Sequence, residues 1–307
     1  VNAPTNRDKT EIRENCVACG GRCALFCHLP KRISHSWGFE ASEIDYIQCE
    51  TCGTIQQYPM PSAEDLEARV AKEYSSTEDR MDFEREVTDA TRPQHLKFVE
   101  QLRERSVSGR VLEVGTGVGN LLDIVRSNGI DATGIDLSPE LVGQARKRGL
   151  PVEERDIKSV ERRNLSAVLM SHVFEHLSAP DETLQEVREI TSSSGLFISA
   201  QPTAMMTNLL SRLLRLNRLD AESRLGLAYL NLHPWHIVIY SVKGMRAIAR
   251  KNGFEVVGVL PMPSLQSKGA IGVVRKIYGA LNAVGEALFP ERWPLHVAHM
   301  FILRKAA

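Results

Sequence analysis

The chain has 307 residues, 43% of them hydrophobic, which suits one large domain with an ordinary core plus a small one. Lys+Arg and Asp+Glu are both 38, so no global charge draws it to nucleic acid or to a membrane surface, although a local basic patch stays open. No apolar run is long enough to span a bilayer and the first ten residues hold no signal-peptide core, so a cytoplasmic protein is expected.

All six cysteines fall between Cys16 and Cys52. Cys16-Val-Ala-Cys19-Gly and Cys49-Glu-Thr-Cys52-Gly form two knuckles, each placing two ligands on one tight turn. Four such thiolates close a tetrahedron around Zn²⁺ and leave no open coordination position, so the zinc is expected to be structural. Four ordinary reduced thiols are the competing reading. Cys23 and Cys27 have a more helical spacing and read as spare thiols, either of which can replace a knuckle ligand. Between the knuckles, Ile44–Ile47 alternates as a ribbon strand. Pro59-Met-Pro61 punctuates the boundary, and Ser62 then caps a helix through Leu66, Val70 and Tyr74. Residues 75–92 are charged and poorly patterned, a mobile helix or lid leading to the amphipathic helix His95–Val99.

Val111-Leu-Glu-Val-Gly-Thr-Gly-Val-Gly-Asn120 reads as a buried strand and a glycine turn, with a helix beginning in Leu121–Val125. This puts backbone N–H groups at a helix N-terminus, where a ligand can come close. A second strand, Ala132–Ile135, ends in Asp136, whose carboxylate can accept from both hydroxyls of a ribose. A dinucleotide fingerprint would want its third glycine at Asn120; here it is Gly119, and Glu113 stands two residues before the first glycine. The stretch resembles the E-x-G-x-G-x-G motif of class I S-adenosylmethionine-dependent methyltransferases. Together, C-x-x-C-G and P-x-P-S-x-E-x-L resemble bacterial members with an N-terminal zinc ribbon.

That resemblance implies an α/β fold, a Rossmann-like seven-stranded sheet with a small zinc-ribbon domain. The implied division is 1–60 ribbon, 61–107 helical linker or lid, and 108–307 methyltransferase, with a lid insertion at 205–245. The cofactor S-adenosylmethionine would be held by Glu113, Gly115, Thr116, Gly117, Gly119, Asp136, Leu137, Asp156, Ile157 and Ser171. Asp156 ends the third strand, Pro151–Asp156, where the family holds the adenine amino group; a surface Asp at a strand end is the alternative. Zn²⁺ would sit on Cys16, Cys19, Cys49 and Cys52.

The fourth strand, Ala167–Met170, leads into Ser171-His-Val-Phe-Glu-His-Leu177, similar to the family motif of a polar residue followed by x-x-x-E-H-L. His172, Glu175 and His176 are spaced to share one helix face, able to bind metal or move protons. His172 comes first off the strand and is the better candidate base, whereas His176 reads as structural. Related ubiquinone-type O-methyltransferases have an acid at the His172 position, so a catalytic metal stays open here. Asp181–Ile190 is a helix and Gly195–Ser199 the fifth strand. Met205–Leu219 is an amphipathic helix with Arg212, Arg215 and Arg218 interleaved, either a packed substrate lid or a surface for a partner or lipid. His233-Pro-Trp-His-Ile-Val-Ile-Tyr-Ser241 resembles a segment of the zinc-ribbon methyltransferases, and that resemblance places His233 and His236 at the rim of the acceptor pocket as acceptor ligands or bases; packing under the lid is the alternative. A helix at Val242–Asn252, a strand at Glu255–Leu260, an apolar-faced helix at Ile271–Leu288 and a final antiparallel strand at His296–Arg304 complete the pattern.

The expected reaction moves a sulfonium methyl to an O, N or C nucleophile of a small-molecule acceptor: a sugar, a polysaccharide precursor or a secondary metabolite. Two rivals share these features. One is an NAD-dependent oxidoreductase using the same crevice. The other is a module that grips RNA or protein through its ribbon, against which the ribbon lacks a dense basic and aromatic surface.

Overall fold

The computed structural model describes residues 14–29, 44–62, 64–66, 78–161, 164–216, 231–232, 235–263 and 269–306. In chain order, β1 (Cys23–Leu29), β2 (Ile44–Cys49) and β3 (Ile55–Tyr58) precede the long helix α1 (Glu78–Glu104). The alternating part follows: β4 (Val111–Val114), α2 (Asn120–Ser127), β5 (Ala132–Asp136), α3 (Pro139–Lys147), β6 (Val152–Glu154), β7 (Leu165–Ser171), α4 (Pro180–Ile190), β8 (Thr191–Pro202) and α5 (Ala204–Leu216). Last come β9 (Val238–Ile239), α6 (Val242–Lys251), β10 (Phe254–Pro261), α7 (Gly269–Leu288) and β11 (Ala298–Lys305).

Strand–helix alternation forces a parallel sheet, because each return to the same edge needs a crossover. The seven-stranded sheet runs β10-β11-β8-β7-β4-β5-β6. All its pairings are parallel except those of β11, which is antiparallel to both β8 and β10. The chain turns from one half of the sheet to the other between β4 and β7. At that switch point the loops splay apart beyond the carboxyl ends of the strands and leave a crevice. Two cores flank the sheet: Phe98, Val99 and Leu102 of α1 pack with α2 and α3 on one face, and α4 and α6 cover the other.

The knuckle cysteines and Ile47 belong to the second of these cores, so the ribbon is continuous with the main domain. Its sheet, β1-β2-β3-β9, is antiparallel and takes its fourth strand from the far end of the chain. Gly244 lets α6 lie flush against the ribbon, since a Cβ there would collide with Thr54 Oγ1. Ser241 joins the two parts: its hydroxyl donates to the Cys52 carbonyl (2.5 Å) and accepts from Gly244 N (2.9 Å) as the N-cap of α6.

Several local expectations change. Cys23 and Cys27 lie on β1, because pairing with β2 outweighs a four-residue spacing that suggested a helix. The poorly patterned stretch is helical from Glu78 onward and contains Pro93. The fifth strand runs from Thr191 to Pro202, longer than its apolar centre indicated. After β7 the chain makes only a 3₁₀ turn, Phe174–His176, instead of a helix face. The expectations for Val70, Tyr74, the 217–219 end of the lid helix and His233 lie outside the described residues. Among the described residues, no helix is long and apolar enough to cross a membrane.

Candidate functional site

The crevice is built first from glycine geometry. Gly115, Gly117 and Gly119 all have φ between +56° and +85°, the left-handed region that L-residues avoid. At Gly115 a Cβ would meet Val173 at 2.5 Å, whereas at Gly117 the space is open, so a ligand can approach the backbone there. Gly117 N donates to Asp136 Oδ2 (2.8 Å) and Ser138 N to Oδ1 (2.9 Å), tying the turn to the end of β5. Burial raises the Asp136 carboxyl above its ordinary range, against the pull of those N–H groups. A carboxylate has about four acceptor positions, so two remain for a diol.

Glu113 is buried, and its Oε2 has no hydrogen-bond partner in the structure. Burial, then the nearby Asp136, holds its carboxyl well above the ordinary range. An orphaned acid at the floor of a crevice beside an open glycine fits a polar ligand. Thr116 has a different part: it is buried, its hydroxyl donates to the Glu113 carbonyl (3.2 Å), and it packs against Gly134. Leu137 and Asp156 are exposed at neighbouring strand ends, and Asp156 caps the 3₁₀ turn Ile157–Ser159 through Lys158 N (2.7 Å). The Ile157 side chain is buried in the core, and Ser171 is half-buried at the end of β7.

Beside this crevice stands a cluster centred on Glu175, whose side chain is wholly buried. His172 Nδ1 is 3.3 Å from Glu175 Oε1, and His176 Nε2 is 3.9 Å from it. Neither carboxylate oxygen has an aligned hydrogen bond, so these are close approaches rather than hydrogen bonds. Burial opposes ionisation of Glu175, but His176, His172 and His236 outweigh it and hold the carboxyl below its ordinary range. His172 adopts φ 54°, an uncommon conformation for a side-chain-bearing residue, and its ring is 40% exposed. It is therefore anchored on one side and open on the other.

His236 arrives from the segment before β9. Its Nδ1 lies 2.7 Å from the Asn231 carbonyl, and His176 Nδ1 lies 2.6 Å from the Trp235 carbonyl. Bonds to carbonyl acceptors require Nδ1–H in both rings, which makes Nε2 the basic nitrogen. Glu175, His176 and His236 bring their ligand atoms within 4.8 Å of one another, close enough to share a cation. One participant escaped the sequence reading. His95, on α1, is buried with Nδ1 unpartnered, and burial followed by repulsion from His172 lowers it to about 4. Nothing in its spacing sets it apart from the other residues of an amphipathic helix.

The four knuckle sulfurs also lie within 4.8 Å of one another, with Cys16–Cys52 at 3.6 Å and Cys19–Cys49 at 3.4 Å. A tetrahedral zinc with Zn–S bonds of about 2.3 Å needs sulfurs about 3.8 Å apart, so the set fits that ion. Without a cation the thiols resist ionisation: burial lifts Cys19 to about 11, and the bond to Cys16 with burial lifts Cys52 to about 12. A bound dication reverses that preference. Cys23 is outside the set; its thiol contacts the Gly21 carbonyl at 3.8 Å.

Strand order, glycine turn and acid-ended second strand define the class I methyltransferase fold, a fold that binds S-adenosylmethionine, with an added cysteine cluster able to hold a metal. The methyltransferase-domain family matches residues 85–259, over half of the chain, and the chain belongs to that family. A ubiquinone biosynthesis O-methyltransferase from Xanthomonas axonopodis pv. citri is 31% identical over 120 residues, 36% of this chain and 50% of that protein. The chain thus matches about half the length of this curated relative. The 1,6-didemethyltoxoflavin-N1-methyltransferase of Burkholderia thailandensis superposes with a TM-score of 0.52 at 13% identity, covering 88% of this chain and 98% of that one. A methyltransferase in complex with the Trm112 activator from Haloferax volcanii is 20% identical, with a TM-score of 0.48, over 70% of this chain and 91% of that one.

Proposed function

We propose that the protein transfers the methyl group of S-adenosylmethionine to an oxygen, nitrogen or carbon nucleophile of a small-molecule acceptor. The cofactor supplies the electrophilic methyl when bound; the chain supplies orientation and a proton acceptor. Glu113, Gly115, Gly117, Gly119 and Asp136 would hold the methionine and ribose portions, with Thr116 bracing the turn beneath them. Leu137, Asp156 and Ile157 would flank the adenine, and Ser171 the reacting end. The observation that carries this reading is His172: half-open at the carboxyl end of a central strand, with the buried Glu175 carboxylate 3.3 Å behind its Nδ1. Such a pair takes a proton on Nε2 from an acceptor and stabilises the resulting imidazolium. His236, in the same cluster around Glu175, would orient the acceptor. Cys16, Cys19, Cys49 and Cys52 would hold one structural Zn²⁺. The acceptor class draws support from the ubiquinone-pathway relative and from the resemblance to zinc-ribbon methyltransferases.

Calorimetry with S-adenosylhomocysteine tests the cofactor assignment. Asp136→Ala should weaken binding by about 1.5–3 kcal/mol through loss of charge-assisted hydrogen bonds, with the variant still folded. Unchanged affinity would remove Asp136 from the site. Binding of NAD but not of S-adenosylhomocysteine by the native chain would overturn the reading.

A further inference from the structure

Among the described residues, ten large hydrophobic side chains are exposed, and seven of them lie on one helix or just past its end. They are Val273, Val274, Ile277, Leu281, Val284, Leu288 and Phe289, each between 54% and 66% exposed. The helix, α7, is not loosely attached. On its inner side the Tyr278 hydroxyl donates to the Leu295 carbonyl, and Trp293 Nε1 donates to Asn282 Oδ1 (2.7 Å). His296 Nε2 meets Glu286 Oε2 at 2.9 Å, and Gly285 leaves room for the Trp293 ring. The segment after the helix folds back along one side of it and leaves the other side apolar and exposed.

We infer that this face is covered by α7 of a second copy of the chain, packed antiparallel about a two-fold axis at Leu281. Counted from Leu281, the exposed residues stand at −8, −7, −4, 0, +3, +7 and +8. That spacing is close to symmetric, which is what a surface needs in order to pair with itself. The axis sets Val273 and Val274 of one copy against Phe289 and Leu288 of the other, and Ile277 beside Val284. The area is adequate. Seven side chains leaving roughly 100 Å² each in water make a patch of about 700 Å², near the ~800 Å² per partner of a standard interface and above the ~300–600 Å² of an ordinary monomer's largest patch.

Sedimentation velocity of the full chain at tens of micromolar should give twice the 34.2 kDa chain mass. Leu281→Asp should return it to the single-chain mass with the far-UV circular dichroism of the folded chain, since the side chain is exposed in the monomer, and with a melting temperature that no longer depends on concentration. Oxidation followed by peptide mapping checks the packing. Leu281→Cys should link to itself, while Val273→Cys should not, its two copies lying about 24 Å apart at 1.5 Å rise per residue. Self-linking of both variants would overturn the antiparallel arrangement. A native chain of single mass overturns the proposal, whether or not it co-sediments with phosphatidylcholine–phosphatidylglycerol vesicles. So does a Leu281→Asp chain that keeps the doubled mass.

Discussion

Glu175 concentrates the chemistry of the site into one residue. A wholly buried carboxylate without aligned hydrogen bonds is costly, and three histidines offset that cost through charge. His172, 3.3 Å from this carboxylate, is the neighbour placed to pass a proton between acceptor and solvent. Glu175→Gln keeps the shape and removes the charge. Once an acceptor is in hand, turnover should fall with little change in S-adenosylhomocysteine affinity, because the carboxylate beside His172 no longer balances the charge that forms on proton transfer. A purely structural Glu175 would lower stability and leave the turnover of the folded fraction in place. His172→Ala should reduce turnover by about 10²–10⁴-fold with little change in S-adenosylhomocysteine affinity. If His172→Ala keeps near-normal turnover across the pH range, the proton acceptor lies elsewhere and His236 is next to be tested.

At the scale of elements, the ribbon supports the far wall of the site. β3 pairs with β9, Gln57 N donates to the Ile237 carbonyl (2.9 Å), and the Tyr46 hydroxyl donates to the His236 carbonyl (3.3 Å). The second knuckle also bonds α5, through Asn208 Nδ2 to the Gly53 carbonyl (3.0 Å). Losing the metal should therefore loosen the His236 segment as well as the ribbon. Cys49→Ser/Cys52→Ser should abolish bound zinc and raise amide exchange at 237–241, while Cys23→Ser and Cys27→Ser retain about one zinc per chain. Zinc lost from either of the latter would show the ligand set to be wrong. This coupling was not legible in the sequence, because β9 is two residues long and pairs across about 180 positions. Legible features were those carried by local pattern: the glycine turn and the acid after β5. The 3₁₀ turn that aims Glu175 inward was not, since E-H spacing suits a helix equally well. His95 became visible only once α1 was laid against β7.

For the molecule as a whole, two deeply buried histidines on different elements lower stability as pH falls, against the raised carboxyls of Glu113 and Asp136, which act in the opposite sense. Burial, then repulsion from His172, lowers His95 from the usual 6.5 to about 4. Burial, then His296, lowers His299 to about 3; its Nδ1 lies 3.1 Å from Thr203 Oγ1 while Nε2 has no partner. Both groups stay neutral in the folded chain but take up protons near pH 6.5 once unfolded. Between pH 6.5 and about 4 the unfolded state binds more protons, so stability is full above 6.5 and declines as pH falls. Each histidine contributes a slope of up to about 1.4 kcal/mol per pH unit in that window. Glu175 adds to the decline at lower pH: its carboxyl is held below the ordinary 4.5, so its contribution is present above 4.5 and lost as pH falls through the folded value. Urea unfolding from pH 7.5 to 4.5 should show a plateau, then a fall beginning near 6.5. His299→Gln, which cannot take up a proton, should flatten the fall by about one proton's worth of slope even if it lowers the plateau. A His299→Gln chain whose slope equals that of the native chain would mean that His299 is not buried uncharged in solution.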